Sequence, residues 1–518
     1  MMHLTQALHK ALLERPDATV LVCGERRTTF TQFVDRVARL AAVLKNLGLQ
    51  VGDRVAMMAL NSDRYVEYLY ATWWAGGVIN PVNIRWTGRE VAYSLDDCDT
   101  RILLVDEHFL TLAAELPALS RSLQATVFFG NGSAPFGFLD GEGLMQDSTP
   151  VPDARRHGDD LAAVMYTGGT TGLPKGVMLS HSNLYASQLS TLMVSPRPVE
   201  SVGINVAPMF HVGGAGVTLQ FMMRLCKQVI LPTFDELSFL RAVQDEQGTE
   251  TFLVPLMLKR VVEHPRFAEF DSSSLKCVIY GAAPIDDVLL TQVLTQLPQT
   301  HFYQMYGMTE LSPVITSLPD WCHQMAQPAQ RRRSAGLPVP IAEVRIVDGD
   351  GRSLPHGQVG EITARGPMVM QGYWNKPGQT AEVLKDGWMF TGDGGYMDQD
   401  GFVYVVDRLK DMIVTGGENV YSAEVENAIT QLPQVSMCAV VGIPDEQWGE
   451  RVHAVVVLRA TESLTAQAVI GHCKTVIANY KCPRSVEFRT EIPMSPAGKM
   501  LKYQLREPFW AGHTRRVN

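Results

Sequence analysis

The apolar residues between positions 31 and 47 follow a helical repeat. Phe33, Val37 and Leu40 recur every three or four residues, and Gly48 follows the last apolar position. Side chains at this spacing share one face of a helix, and glycine commonly ends helices. The pattern therefore predicts an amphipathic helix that stops before Gly48.

Short apolar runs alternate with helical stretches of this kind up to residue 281. Each run is about one strand long and has few polar positions, which is typical of strands buried on both faces. The alternation predicts mostly parallel sheets flanked by helices, an α/β fold. The runs are RVAMMAL (54–60), RILLVD (101–106), LAAVMYT (161–167), QVILP (228–232), TFLVP (251–255) and CVIYG (277–281).

The pattern of residues along the chain changes beyond residue 336. Short strand-like runs punctuated by glycine and proline, such as EVRIVDGDGRSLP, GEITARG and GFVYVVDR, predict a β-hairpin-rich subdomain. Strands and helices alternate again after a boundary near Asp407–Asp411, with one helix capped by Ser422 and another at 465–479. The sequence thus predicts a large N-terminal domain over residues 1–409 and a small α+β C-terminal domain over residues 410–518.

Size and charge narrow the function. The chain has 518 residues, more than one hydrophobic core usually holds, which agrees with at least two domains. Its formal net charge is −9, so it offers no broad basic field, and nucleic acid is not an expected partner.

The cysteines and the N-terminal segment indicate a compartment. The eight cysteines form no CxxC pair, which favours reduced thiols. The first residues read as a charged amphipathic segment rather than a secretory apolar core, and no run of about 18 apolar residues suggests a transmembrane segment. We therefore expect a cytoplasmic protein.

One loop carries the strongest chemical signal. Residues 165–176 read MYTGGTTGLPKG, which places three threonines, four glycines and a lysine directly after an apolar run. Glycines allow close approach of the backbone, while hydroxyls, N–H groups and a cation bind polyanions, so a nucleotide phosphate is the natural ligand. The P-loop pattern is absent, because Gly176 rather than serine or threonine follows Lys175. Another nucleotide chemistry is therefore expected.

Five further segments accompany this loop in a fixed order. They are YGAAP (280–284), YGMTE (306–310), TGD (391–393), DRLKDMIVTGGENVYSAEVE (407–426) and PAGKMLKYQLRE (496–507). Any one of them alone is a weak signal. Together with the loop, the set resembles the adenylate-forming superfamily over nearly the whole chain, and within it the acyl-CoA synthetases.

The resemblance implies that the glycine-threonine loop binds the phosphates of ATP. It also implies that Tyr306 packs on adenine, that Thr309 contacts the α-phosphate, and that Glu310 holds Mg²⁺, a cation that prefers oxygen ligands. The nucleotide-binding residues implied by these segments are Thr167, Gly168, Gly169, Thr170, Thr171, Gly172, Lys175, Tyr306, Gly307 and Met308.

Two other segments complete the implied nucleotide site. The small residues Gly281, Ala282 and Ala283 follow a buried strand and, by the resemblance, leave a flat slot for adenine. Asp393 corresponds to a carboxylate that binds the ribose hydroxyls, with Arg408 as its partner.

The C-terminal segments carry the family's moving parts. Lys499 matches the catalytic lysine that neutralises charge during adenylation, and Lys410 matches the hinge of a mobile C-terminal lid domain. Rotation there would withdraw Lys499 and bring Gly416, Gly417 and Glu418 to a pantetheine channel.

Three residues bear on which carboxylic acid the protein accepts. His211, in PMFHVGG, matches a residue that borders the acyl channel, although a histidine satisfied within the core is the alternative. The run HVGGAGVT lacks the aspartate of amino-acid-activating members, and Gly307 leaves room for acids larger than propionate. Met305 replaces the glycine usual in fatty-acyl members and is expected to shorten or bend the channel.

The resemblance implies a reaction in which a carboxylic acid and MgATP form an acyl-adenylate that coenzyme A then attacks. Medium- to long-chain fatty acids are the first expectation and aryl or arylpropenoic acids the second. The alternatives are transfer to a free-standing carrier protein, a luciferase-like oxidation, and a catalytically silent acyl or nucleotide binder. The sequence leaves homodimer formation open.

Overall fold

The computed structural model describes residues 2–167, 173–283, 285–324, 327–408, 411–415, 418–494 and 500–511. The α-helices are α1 (Gln6–Glu14), α2 (Phe30–Asn46), α3 (Asp63–Ala75), α4 (Gly88–Asp97), α5 (Leu110–Leu119), α6 (Gly141–Asp147), α7 (His181–Val194), α8 (Val212–Met223), α9 (Glu236–Asp245), α10 (Pro255–Val262), α11 (Asp287–Gln296), α12 (Ala329–Arg332), α13 (Pro377–Val383), α14 (Ser422–Ile429), α15 (Ala466–Val476) and α16 (Lys502–Trp510). Short 3₁₀ helices cover Phe267–Glu269, Thr309–Leu311, Asp320–His323 and Asn479–Lys481.

The strands are β1 (Thr19–Cys23), β2 (Arg26–Thr29), β3 (Arg54–Met58), β4 (Val78–Pro81), β5 (Ile102–Val105), β6 (Ala125–Phe128), β7 (Leu139–Asp140), β8 (Leu161–Thr167), β9 (Lys175–Ser180), β10 (Val202–Asn205), β11 (Lys227–Ile230), β12 (Glu250–Leu253), β13 (Cys277–Gly281), β14 (His301–Tyr306), β15 (Thr316–Leu318), β16 (Leu337–Pro338), β17 (Glu343–Val347), β18 (Gly360–Arg365), β19 (Gly372–Tyr373), β20 (Leu384–Lys385), β21 (Trp388–Met397), β22 (Val403–Arg408), β23 (Ile413–Thr415), β24 (Glu418–Val420), β25 (Val435–Asp445), β26 (Gly449–Leu458) and β27 (Ser485–Phe488). Each of the six apolar runs overlaps one observed strand, so those strand predictions are confirmed.

Two large, mostly parallel sheets form the body. Among the described residues, the first has nine strands in the order β16-β15-β14-β13-β12-β10-β11-β1-β2, and the second has eight in the order β19-β9-β8-β4-β3-β5-β6-β7. Antiparallel pairs occur toward the ends of both, including β8 with β9 and β14 with β15. The predicted α/β class is confirmed, because these sheets are buried between helices.

Helices α2 and α3 lie in the main core, which draws side chains from both large sheets. Helix α2 begins at a capping box, in which the Thr29 hydroxyl accepts from Gln32 N–H and the Gln32 side chain accepts from Thr29 N–H. The chain then leaves the helix through Gly48, whose φ of +96° suits glycine. The helix predicted over residues 31–47 is confirmed.

Antiparallel hairpins follow the body. Strands β17, β18 and β21 pair in sequence, β20 and β22 pair with β21, and side chains such as Ile362 and Met389 join the main core. The hairpin-rich subdomain predicted beyond residue 336 is confirmed.

The C-terminal part folds around its own sheet. Strands β23 to β27 and helices α14 and α15 enclose an apolar cluster that includes Val425, Val440 and Val469. This part contacts the body where Lys259 Nζ donates to the Ser436 carbonyl at 2.6 Å. The predicted boundary between residues 409 and 410 lies outside the described residues and stays a prediction.

Two local predictions for the C-terminal part need correction. Ser422 is the first residue of α14 rather than its N-cap, which is Tyr421, because the Ser422 hydroxyl is engaged by Lys502 instead of by the helix backbone. The helix predicted over residues 465–479 is shorter and ends at Val476.

All eight cysteines are buried thiols without a disulfide. In the part of the chain that the structure describes, every helix is too short or too polar to cross a bilayer.

A buried ion cluster in the first sheet generates a stability prediction. The Glu250 side chain is fully buried and contacts both Arg197 and Arg224. Removing one partner of a buried ion pair costs about 3–5 kcal/mol, because it leaves an uncompensated charge in a low-dielectric interior. We expect Glu250→Ala to lower the free energy of unfolding by about that amount, measured by urea unfolding of the body.

Glu269 provides the matched control. Its ion pair with Arg266 is exposed on both sides. Such pairs contribute about 0–1 kcal/mol, so Glu269→Ala should be nearly neutral. Equal losses in the two variants would contradict a special role for the buried cluster.

Candidate active site

The glycine-threonine loop connects the two strands of a hairpin. Strands β8 and β9 are antiparallel, and Thr167 pairs with Lys175 where the hairpin closes. Of the predicted phosphate-binding residues, Gly168, Gly169, Thr170, Thr171 and Gly172 lie outside the described residues. The structure therefore fixes where the loop leaves and re-enters the sheet.

Lys175 lies beside an aromatic ring. Its Nζ is 4.8 Å from the ring centroid of Tyr373, within the range of a cation–π interaction. Strand β19 brings Tyr373 there, because it pairs with β9 in a register that places Tyr373 opposite Val177. The Tyr373 ring, which the neighbouring strand β19 carries, thus restrains the Lys175 side chain.

The segment from Tyr306 to Glu310 leaves the end of β14 in a sharp turn. Gly307 has a φ of +157°, and a Cβ at this position would lie 1.9 Å from the Pro313 carbonyl oxygen. Only glycine fits such a close approach. The turn leads into a 3₁₀ helix over Thr309–Leu311 and buries the Glu310 side chain.

Glu310 is held by the same tyrosine that contacts Lys175. The Tyr373 hydroxyl donates to Glu310 Oε1 at 2.9 Å. Burial, with the nearby Glu310 charge, raises the pKa of Tyr373, so its hydroxyl remains a proton donor. One side chain therefore joins two predicted nucleotide-binding residues.

Asp393 is joined to Tyr306 in the same way. The Tyr306 hydroxyl donates to Asp393 Oδ2 at 2.7 Å. Asp393 lies in β21 directly opposite Arg408 of β22, although the Arg408 side chain lies outside the description. The residues predicted for adenine and ribose are thus brought together.

The predicted adenine slot lies next to this pair. Gly281 ends β13 opposite Met305 of β14, and a Cβ on Gly281 would lie 2.2 Å from the Met305 carbonyl oxygen. Ala282 follows in the left-handed region, with a φ of +67°, and is exposed. A non-glycine residue is uncommon there and often marks a functional turn.

His211 lies at the start of α8. It is the N-cap residue but makes no side-chain capping bond, and its ring lies 4.3 Å from that of Phe210. Beyond it, a Cβ on Gly213 would approach the Phe252 ring to 3.3 Å. The glycine thus keeps α8 close to an aromatic side chain of β12.

The C-terminal site residues are only partly described. Glu418 begins β24, is exposed, and pairs with Thr415. Lys410, Gly416, Gly417 and Lys499 lie outside the described residues. Their assigned roles stay predictions.

Sequence reasoning missed two residues of this site. Tyr373 bridges Lys175 and Glu310, and Glu361 Oε1 accepts the Gly392 N–H at 2.8 Å beside Asp393. Burial raises the pKa of Glu361. A lone tyrosine after a glycine and a glutamate within a strand carry no local chemical signal, so only the fold reveals them.

The described residues contain one group of three potential metal ligands, Asp106, Glu107 and His108. These residues follow β5, while Glu310 follows β14 in the other large sheet. Asp106 is buried, Glu107 is half-buried and His108 is exposed. Acidic groups often cluster without a metal, and this group belongs to a different part of the fold from Glu310.

Comparison with known families gives two matches. The family described as AMP-binding enzyme matches residues 8–374, and its companion, the AMP-binding enzyme C-terminal domain, matches residues 424–499. Together they span most of the chain.

Relatives that align over nearly their whole length agree with the family match. A feruloyl-CoA synthase of Amycolatopsis sp is 38% identical over 95% of this chain and 96% of its own. A fatty acid–[acyl-carrier-protein] ligase, ScoC, of Streptomyces coeruleorubidus is 35% identical over 97% and 96%. The crystal structure of ATP-bound MatB from Rhodopseudomonas palustris superposes with a TM-score of 0.89 at 29% identity, covering 99% of both chains. The chain therefore belongs to the AMP-binding enzyme family and is an AMP-forming ligase of the acyl-CoA synthetase type.

Proposed function

We propose that the enzyme joins an apolar carboxylic acid to AMP, releases pyrophosphate, and transfers the acyl group to the thiol of coenzyme A. The observation that carries this proposal is the pair of tyrosine–carboxylate bonds, Tyr373 to Glu310 and Tyr306 to Asp393. Tyr306 and Glu310 lie in one segment, so the two bonds join that segment to those of Tyr373 and Asp393. The Tyr373 ring also contacts Lys175 at the end of the glycine-threonine loop. By their chemistry, Lys175 and the hydroxyl-rich sequence of the loop suit phosphates, while a ring, a small-residue slot and a carboxylate suit a nucleoside.

Glu310 suits the magnesium ion of MgATP. It is a buried carboxylate at the end of a rigid turn, and Mg²⁺ in nucleotide sites commonly takes one or two carboxylates together with phosphate oxygens and water. When bound, the ion would neutralise phosphate charge during attack on the α-phosphate. Thr309, next to Glu310, is assigned to the α-phosphate itself.

We assign the second half-reaction to the C-terminal part. Lys499 supports adenylation, rotation about Lys410 withdraws it, and Gly416, Gly417 and Glu418 then line the path of the thiol. Residues 410–518 would thus act as the lid of a single site. A domain of this kind can move because its own core is separate from that of the body.

The acyl pocket is proposed to begin at His211 and to run past Met305. Met305 is buried in an apolar cluster with Tyr303 and Val314. Cys277 belongs to the same cluster and lies opposite Glu250 of the neighbouring strand β12, whose buried carboxylate contacts Arg197. A pocket whose far end is formed by buried charged groups suits a compact acid better than a long alkyl chain. An alkyl chain would make no favourable apolar contacts beside those charges.

These features lead us to rank aryl and arylpropenoic acids first and medium-chain fatty acids second. The sequence alone favoured medium- to long-chain fatty acids. The similarity to a feruloyl-CoA synthase also supports the aryl class. Coenzyme A is the proposed acceptor, and the similarity to an acyl-carrier-protein ligase keeps a carrier protein as the alternative.

The reaction itself is tested by acid-dependent exchange of radiolabelled pyrophosphate into ATP, followed by AMP release with CoA. The acids are ferulate, 4-coumarate, octanoate and palmitate. If none of the acids supports exchange, the protein is a silent binder and the proposal is overturned. Exchange without CoA-dependent thioester would favour the carrier-protein alternative.

Lys499→Ala separates the two half-reactions. We expect adenylation to fall about 10²–10³-fold, the typical loss when one preorganised donor to a charged transition state is removed. Thioester formation from a supplied acyl-adenylate should persist, because Lys499 is withdrawn in that step. Lys474→Ala, an exposed lysine of α15, is the matched control and should leave adenylation unchanged. Equal loss of both half-reactions in Lys499→Ala would contradict the rotating-lid assignment.

Met305→Ala tests the acyl pocket. Removing side-chain volume should raise the preference for octanoate over ferulate by roughly 10-fold in kcat/KM, since a few methylenes discriminate by about 1–3 kcal/mol. Met305→Leu conserves volume and serves as the control. A preference for palmitate in the wild-type enzyme, or an unchanged ratio in Met305→Ala, would contradict the proposed wall.

A further inference from the structure

The segment around residues 368–374 is fixed on both of its sides. Toward Glu310, Met370 N–H donates to the Glu310 carbonyl at 2.9 Å, and the Ser312 hydroxyl donates to the Met368 carbonyl at 2.8 Å. Toward the phosphate loop, Trp374 N–H donates to the Gly176 carbonyl at 2.8 Å. We call residues 368–374 the strap, since they connect the two halves of the nucleotide site.

Tyr373 is the strap residue whose side chain contacts both halves of the site. It is 6% exposed, its hydroxyl donates to Glu310 Oε1, and its ring packs against the ammonium group of Lys175. Its own N–H donates to the Thr380 hydroxyl at 2.9 Å, which fixes the backbone from which the ring extends. The ring therefore has little freedom to turn away from Glu310.

We propose that Tyr373 is a positioning residue that sets the orientation of the Glu310 carboxylate for the metal of MgATP. The inference rests on the proposed function, because it assumes that Glu310 holds that metal. A carboxylate whose one oxygen is held by a buried hydroxyl presents its remaining acceptor sites in one direction. Partners of this kind typically change metal affinity 10–100-fold when they are removed.

A purely structural role for Tyr373 predicts something different. Burying an aromatic ring stabilises the fold whether or not the ring carries a hydroxyl. A purely structural role therefore predicts that only loss of the ring is harmful, whereas the orienting role predicts that loss of the hydroxyl alone weakens metal binding. Tyr373→Phe distinguishes the two, because it keeps the ring and the contact with Lys175 and removes only the donor.

The measurement is the dissociation constant of Mn²⁺ for the enzyme–ATP complex, followed by electron paramagnetic resonance. We expect Tyr373→Phe to weaken Mn²⁺ binding by about 10-fold or more, while ATP binding without metal stays unchanged. The Mg²⁺ concentration for half-maximal pyrophosphate exchange should rise in parallel. An unchanged Mn²⁺ constant in a folded Tyr373→Phe protein overturns the inference.

Tyr404→Phe is the matched control. Tyr404 is equally buried and also donates to a carboxylate, Asp398 Oδ2 at 3.0 Å, in the hairpin subdomain. It should leave the Mn²⁺ constant at the wild-type value. A loss of Mn²⁺ affinity as large as in Tyr373→Phe would mean a general effect of the missing hydroxyl and would overturn the inference.

Glu310→Gln completes a double-mutant cycle. If Tyr373 acts through the carboxylate, adding Tyr373→Phe to Glu310→Gln should cause no further loss of Mn²⁺ affinity. Independent, additive losses would overturn the inference. Failure of the proposed function is recognised separately, since it would leave the wild-type enzyme without acid-dependent exchange, whereas the Mn²⁺ constants still compare the variants.

Discussion

The nucleotide site depends on holding together segments that belong to different sheets. The glycine-threonine loop leaves the eight-stranded sheet, and Glu310 follows a strand of the nine-stranded sheet, as counted within the described residues. Side-chain packing alone would set their separation loosely, because each loop could shift with its own sheet. The hydroxyl of Tyr373 and the backbone bonds of the strap provide a directed connection between them. The same principle recurs where Tyr306 reaches Asp393 of the hairpin subdomain.

Much of this architecture was predictable because its signals are local. The repeat of apolar residues specified α2, and the short apolar runs specified the buried strands. The contact of Tyr373 with Glu310 was not predictable, since it arises only when β19 pairs with β9 after a long excursion of the chain. The positive φ of Ala282 was equally hidden, because alanine gives no hint of a left-handed turn. The N-cap predicted at Ser422 failed for a third reason. Lys502, which is distant in sequence, donates to the Ser422 hydroxyl that a cap would have used.

The proposed acyl pocket would end on a network of buried polar groups. Arg197 donates to the Gln220 side chain, Gln220 to Gln188, and Gln188 to the Ser312 carbonyl, two residues beyond Glu310. With Glu250 at its other end, this chain of bonds is costly to disturb, because each member is buried and paired. It therefore forms a rigid network that reaches the segment of Glu310. In the proposed function, this network would form the end of the acyl pocket nearest to the nucleotide site.

The arrangement is compatible with the proposed use of one site for two half-reactions. The bonds assigned to the proposed nucleotide site, from Tyr373 to Glu310 and from Tyr306 to Asp393, lie within the body of the protein. The C-terminal part adds contacts at the periphery, such as Lys259 with Ser436, and such isolated bonds contribute only about 0.5–1.5 kcal/mol each. The rotation proposed for that part would therefore leave these bonds intact. In the proposed mechanism, the two half-reactions then differ in which side chain of the C-terminal part faces the adenylate.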